Sequence, residues 1–172
     1  MKHVVLDANL FKAFFDKSVC GTEVNTNGCP VELFAKLGIT FLATLDDEGI
    51  IEYEWRSLVQ GEWFDAWLAE KLINAHIILV AAPTSIAVEK ALQKLGFPKS
   101  RDVKYVRTAL TNVARGHSHL FTEDLDFYDP TQKGCAAKQR TKLLSGSKSK
   151  VQKLLRKYEV EIGSVAHGIA AC

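Results

Sequence analysis

The sequence predicts an α/β protein, a three-layer sandwich built around a mainly parallel central sheet. Short apolar, β-rich runs alternate with segments of helical periodicity, the order that buries a parallel sheet between helices. Acidic residues stand beside several of those apolar segments. They are Asp7 after Val4-Val5-Leu6, Glu54 within Ile51-Glu52-Tyr53-Glu54-Trp55, Asp102 before Val103-Lys104-Tyr105-Val106, and Asp124 closing Leu120-Phe121-Thr122-Glu123-Asp124. Carboxylates at strand ends belong where an open α/β sheet builds its ligand crevice, and several together suit a hard divalent cation. With 172 residues, 47% of them hydrophobic and 24% charged, the chain is sized for one globular domain with a real core.

The elements follow in order. His3 to Leu6 is a short strand, and Asn9-Leu10-Phe11-Lys12-Ala13-Phe14-Phe15 opens an amphipathic helix, leaving Asp7 at the junction. Residues 20 to 30, dense in Gly, Asn and Thr, form a loop with the character of a mobile flap. Pro30 starts a helix to Leu37, closed by Gly38 before the strand Ile39 to Leu45. Asp46-Asp47-Glu48-Gly49 is a turn. Ile51, Trp55 and Leu58 then mark a helix on which Glu54 lies close to the apolar stripe and Glu52 is displaced from it.

After Gly61, Trp63, Phe64, Trp67, Leu68 and Leu72 continue a second helix, and His76 to Ala82 fits either a strand or a buried helix end. A helix from Pro83 to Leu95 stops at Gly96-Phe97-Pro98. Another spans Ser100 to Val113, with Asp102 in its first turn, where a negative charge suits the helix dipole. Ser118 to Thr122 is a strand. Lys133 to Lys150 is expected to be a loop containing Leu144-Ser145-Gly146-Ser147, followed by a basic helix near Val151 to Tyr158 and an edge strand from Glu159 to Ile162.

Charge is divided along the chain. Residues 1 to 132 hold 13 Lys/Arg and 18 Asp/Glu, a net of −5, whereas 133 to 172 hold 9 and 2, a net of +7. The two parts are read as a core, 1–132, and a basic C-terminal extension, 133–172, packing on the same domain. A basic segment on an acidic body suggests a polyanionic partner, although such runs also occur as solvated faces. Lys138, Arg140, Lys142, Lys148, Lys150, Lys153, Arg156 and Lys157 are its candidate phosphate contacts. No apolar run approaches the ~20 residues that span a bilayer. Asp7 falls where a signal peptide needs its apolar stretch, so the expectation is a cytoplasmic protein without membrane attachment. Cys20, Cys29, Cys135 and Cys172 lack metal-site or disulfide-framework spacing, and His117 and His119 share a strand face without nearby partners for a metal.

The ordered series Val4-Val5-Leu6-Asp7-Ala8-Asn9, an acid in the helix after the second strand, Asp102 opening the helix before the last confident strand, and Leu120-Phe121-Thr122-Glu123-Asp124-Leu125-Asp126-Phe127 resembles a PIN-like nuclease domain over roughly residues 3 to 130. Gly49-Ile50-Ile51-Glu52-Tyr53-Glu54-Trp55 resembles a Gly-x-Ile-x-x-Glu-Tyr pattern of related chains, with Trp55 in place of Tyr and Glu52 as the competing second acid.

The resemblance implies a metal-dependent nuclease, foremost an endoribonuclease of toxin or defence type. Asp7, Glu54, Asp102 and Asp124 would be catalytic and, with Asp126, would ligate Mg²⁺ or Mn²⁺. Asn9 and Thr122 would lie at the substrate, Thr122 also orienting Asp124, and Arg140, Lys142, Lys150, Lys153 and Lys157 would hold the strand. RNA ranks ahead of single-stranded DNA, and an inhibitory or effector protein and a homo-oligomer are admitted as partners. Two rivals stay open: a PIN-like scaffold that binds nucleic acid or protein without cutting, and a phosphotransfer protein using Asp7 as nucleophile.

Overall fold

Val4, Val5 and Leu6 are consecutive and all fully buried, so the strand that contains them is covered on both faces. That strand, β1 (Lys2–Leu6), is the centre of a five-stranded sheet. The computed structural model describes residues 1–59, 61–99, 102–116, 118–146 and 149–172. Expectations placed on Ser100, His117, Ser147 and Lys148 fall outside the described residues.

The other strands are β2 (Phe41–Asp46), β3 (Ile77–Val80), β4 (Ser118–Phe121) and β5 (Val160–Gly163), in the spatial order β3-β2-β1-β4-β5. All four pairings are parallel, and Leu6 stands opposite Phe121, which stands opposite Gly163. The apolar run at Ile77 is thus a strand, at the edge of the sheet.

Helices flank the sheet. They are α1 (Ala8–Ser18), α2 (Pro30–Phe34), α3 (Ile50–Leu58), α4 (Glu62–Ile73), α5 (Ile86–Gln93), α6 (Asp102–Asn112), α7 (Ala137–Ser145), α8 (Lys150–Arg156) and α9 (Val165–Ala171). The α6 helix lies along β1, β2 and β4, while α1 packs with α2 and α3, and α9 against α2. Gly168 lets α9 approach, since a Cβ there would stand 2.8 Å from the Leu33 side chain.

Two elements differ from expectation. Lys133 to Lys150 contains a helix, α7, which carries only Leu143 and Leu144 as large apolar residues and so shows no stripe, although Ala, Lys, Gln, Arg and Leu all favour helix. The α9 helix has no forewarning in the sequence; its Gly and Ala content carries weak periodicity, and packing on the sheet supplies the missing stability. Residues 133 to 172 contribute β5 to the sheet, so this basic segment is an integral part of the fold.

The strand order locates the crevice. From β1 the chain steps outward to β2 and β3, then crosses back to β4 on the other side of β1. Ligands of open α/β sheets bind at such a reversal, beyond the carboxyl ends of the two strands. Asp7 and Thr122 are the first residues past β1 and β4, placed side by side by the Leu6–Phe121 register.

Candidate functional site

Asp7 occupies the N-cap position of α1, yet its side chain makes no capping bond. The backbone does that work: Asp7 carbonyl accepts from Leu10 and Phe11 N–H groups. The carboxylate turns instead across the switch point, where Thr122 Oγ1 donates to Asp7 Oδ2 at 2.8 Å. Thr122 is fully buried, and its hydroxyl also accepts from the Asp124 N–H at 2.9 Å. Expected at the substrate, Thr122 is therefore a positioning residue, holding the two acids that follow neighbouring strands. Asp124 accepts from the Asp126 N–H at 2.9 Å, which fixes the turn in which it sits.

Glu54 reaches the same edge from α3. Asp46, fully buried at the end of β2, accepts from the Ile50 and Ile51 N–H groups at 2.9 and 2.8 Å and so sets the start of that helix. Trp55 then stacks on Phe11 at 4.5 Å between centroids, locking α3 against α1. Glu54 Oε2 accepts from the Tyr105 hydroxyl at 2.8 Å, and the same hydroxyl accepts from the Ala8 N–H at 3.2 Å. Glu52, the competing acid, pairs with Arg56 on the same helix. The geometry brings Glu54, not Glu52, beside Asp7.

Burial pushes the Asp7 carboxyl up to about 7, with the charges of Asp124 and Glu54 adding to the rise and the Thr122 hydrogen bond opposing it. Burial, and then the charges of Asp7 and Glu54, hold the Tyr105 phenol well above its ordinary value. Asp102, half-buried in the first turn of α6, belongs to the same field: it and Asp124 raise the carboxyl of Asp126, after the larger effect of burial. Asp126, an expected ligand, is buried and ion-paired with Lys133, so its charge already has a counterion.

The acids share one edge of the sheet without closing into a shell. Among the described residues, no three His, Cys, Asp or Glu side chains are gathered so as to hold a metal ion as they stand. The donor chemistry nevertheless fits a hard divalent cation. Asp7, Glu54 and Asp124 offer only oxygen, and Asp7 is buried between like charges. These three, with Asp102 at the margin, would hold it.

A cleft of about 460 Å³ opens beside Asp124. Asn9, Lys12, Lys133 and Arg140 line it, opposite Val24, Asn25 and Thr26 of the long loop. That loop, expected to have the character of a flap, is tied down at Asn27. The Asn27 N–H donates to Glu123 Oε1 at 2.6 Å, its side-chain amide donates to Ser164 Oγ at 3.0 Å, and its carbonyl accepts from the Ala166 N–H at 2.6 Å. Gly28 makes this approach feasible, since at φ +119° a Cβ would sit 2.7 Å from the Ala166 nitrogen. Arg140 donates to the Glu123 carbonyl at 2.8 Å and so stands at the cleft wall.

The other expected strand contacts are elsewhere. Lys142 is exposed on α7, and Lys150, Lys153 and Lys157 line a separate groove between α5 and α8. His119 is buried against Phe121. Sequence reasoning missed Tyr105, Lys133 and Glu123 as parts of this region. Tyr105 was within reach, because it follows Asp102 by three residues and so shares its helix face. Among the described residues, no helix is long and apolar enough to cross a membrane. Compared with protein-family models, curated proteins and solved structures, the chain matches none.

Proposed function

We propose that this protein is a metal-dependent nuclease of PIN-like type, hydrolysing phosphodiester bonds in RNA, with single-stranded DNA the lesser substrate. The observation that carries the reading is the Asp7 carboxyl, buried at the switch point in the field of Asp124 and Glu54, with Asp124 itself lining a cleft that has cations on its wall. When bound, Mg²⁺ or Mn²⁺ supplies Lewis acidity toward the scissile phosphate and a lower pKa for the attacking water. Asp7, Glu54 and Asp124 would hold that cation, with Asp102 reaching it through water. Thr122 fixes the Asp7 oxygen and the Asp124 backbone; Tyr105 fixes Glu54. Arg140, Lys12 and Lys133 would receive phosphates flanking the cut, and Asn9 would offer an uncharged contact beside them.

The test is cleavage of a labelled RNA by the purified chain with Mn²⁺, with Mg²⁺ and with chelator, set beside Asp7→Asn and Asp124→Asn. Metal-dependent cutting by the parent and none by either variant is the expected result. Equal cutting by parent and variants, or cutting that chelator leaves intact, would sink the proposal. A second reading, a PIN-like scaffold that binds without cutting, draws on the acids not being gathered into a metal-holding group. Nucleic-acid binding by the parent with no cleavage in either metal would favour it.

A further inference from the structure

Away from the acid cluster, α5 and α8 pack together and leave a groove of about 370 Å³ between them. Its floor is aliphatic: Ala91, Leu95 and Leu154, all half-buried and so still open on one side. Its rim is cationic. Lys94, at the C-terminal end of α5, stands on one side, and Lys150, Lys153 and Lys157 follow one another along α8 on the other. All four are exposed, no acid lines the groove, and among the described residues none of the four is ion-paired. Four ammonium groups around an uncompensated apolar strip are matched by a surface of opposite charge with its own apolar ridge.

We propose that this groove docks an acidic amphipathic helix of a protein partner. Lys150, Lys153 and Lys157 are spaced i, i+3 and i+7, a run of about 10 Å at about 1.5 Å per residue. A partner helix carrying carboxylates at the same spacing places each one opposite an ammonium group, and leucine-type side chains on its adjoining face enter the strip over Leu95 and Leu154. Nucleic acid fits less well. Strand-binding grooves use aromatic faces for the bases and hydroxyls or amides beside the cations for phosphate, and the lining residues here include neither. The inference is independent of the chemistry at Asp7.

The experiment measures fluorescence anisotropy with the whole protein and three labelled probes. One is a helical peptide with leucines at i, i+3, i+4 and i+7 flanked by glutamates; the second is its scramble of identical composition; the third is an oligouridine strand. The patterned peptide is expected to bind at least about tenfold tighter than the scramble. The combined change Lys150→Glu, Lys153→Glu and Lys157→Glu should weaken it by roughly tenfold or more, since it converts attraction to repulsion at three sites. Leu154→Gln, which keeps every charge, should weaken it as well, with circular dichroism confirming that both variants are folded. Equal binding of patterned and scrambled peptides would overturn the proposal, leaving only general attraction of polyanions. Oligouridine binding that falls in the triple variant while peptide binding is unmoved would assign the groove to nucleic acid and overturn it too.

Discussion

Replacing Asp7 by Asn should make the metal-free protein more stable in alkali and abolish cleavage, because the native fold holds Asp7 as a buried acid. Its carboxyl is pushed from 3.8 to about 7, chiefly by burial. A folded pKa above the unfolded one means that the neutral form favours folding. The contribution is complete below the unfolded pKa and is lost as pH rises through about 7. Three pKa units at about 1.36 kcal/mol each put the loss at about 4 kcal/mol in alkali. At about pH 5, only about 1.2 units above the unfolded value, the loss is about 1.6 kcal/mol.

Asn is nearly isosteric and never ionises, so the stability difference between variant and parent should widen by about 3 kcal/mol from about pH 5 to about pH 8.5. For a chain of this size that is a relative rise in Tm of roughly 5 to 10 °C, read by circular dichroism melts across pH. At about pH 5 Thr122 meets a neutral acceptor in both proteins, and its stronger bond to the ionised Asp7 in alkali is already contained in the folded pKa of about 7, so it adds nothing further to the slope. Saturating Mn²⁺ in alkali should then raise the Tm of the parent and not of the variant, since about 2.7 kcal/mol accrues when ligand is at about a hundred times its Kd. Parallel pH curves for the two proteins would refute the burial of a strained charge at Asp7.

Tyr105→Phe deletes the donor to Glu54 and leaves the Ala8 N–H unpaired in a buried place, so it should lower stability by about 1 to 3 kcal/mol in a denaturant titration. It should also cut turnover more than substrate affinity; unchanged turnover would deny Glu54 its role. Gly28→Ala must strain a left-handed backbone and press on Ala166, so its melt should fall by about 1 kcal/mol or more, and an unaltered melt would show the loop anchoring at Asn27 to be unimportant. For the cleft wall, Arg140→Ala with Lys12→Ala should flatten the salt dependence of oligonucleotide binding by about 0.7 of a log unit for each phosphate that the two cations neutralise. An identical slope would remove both from the substrate path.

How far the sequence could be read depended on whether the controlling interaction was local. Val4-Val5-Leu6 and Phe41 to Leu45 announce strands because both their faces are buried, and Ile51 and Trp55 announce a helix because one face is. Glu54 could be preferred to Glu52 on the helical wheel alone, and Tyr105 explains the preference physically: it reaches Glu54 from another helix. Periodicity carries no information about strand order. Only the order β3-β2-β1-β4-β5 sets Asp7 next to Thr122, and only then does a threonine closing a strand become the residue that holds two acids.

Asp46 shows the same limit from the other side, since its sequence setting is that of a solvated turn, and the structure buries it to start α3. The basic segment shows it for charge. Nine cations between Lys133 and Lys157 read as one patch, but composition has no direction in space, and folding divides them. Lys133 and Arg140 turn to the acid cleft, whereas Lys150, Lys153 and Lys157 turn to the α5–α8 groove. That division argues for two surfaces with separate ligands. One is polar and adjoins carboxylates, as a phosphodiester site with a bound cation requires. The other pairs ammonium groups with aliphatic carbon, a combination that an acidic helix satisfies and a sugar-phosphate backbone does not.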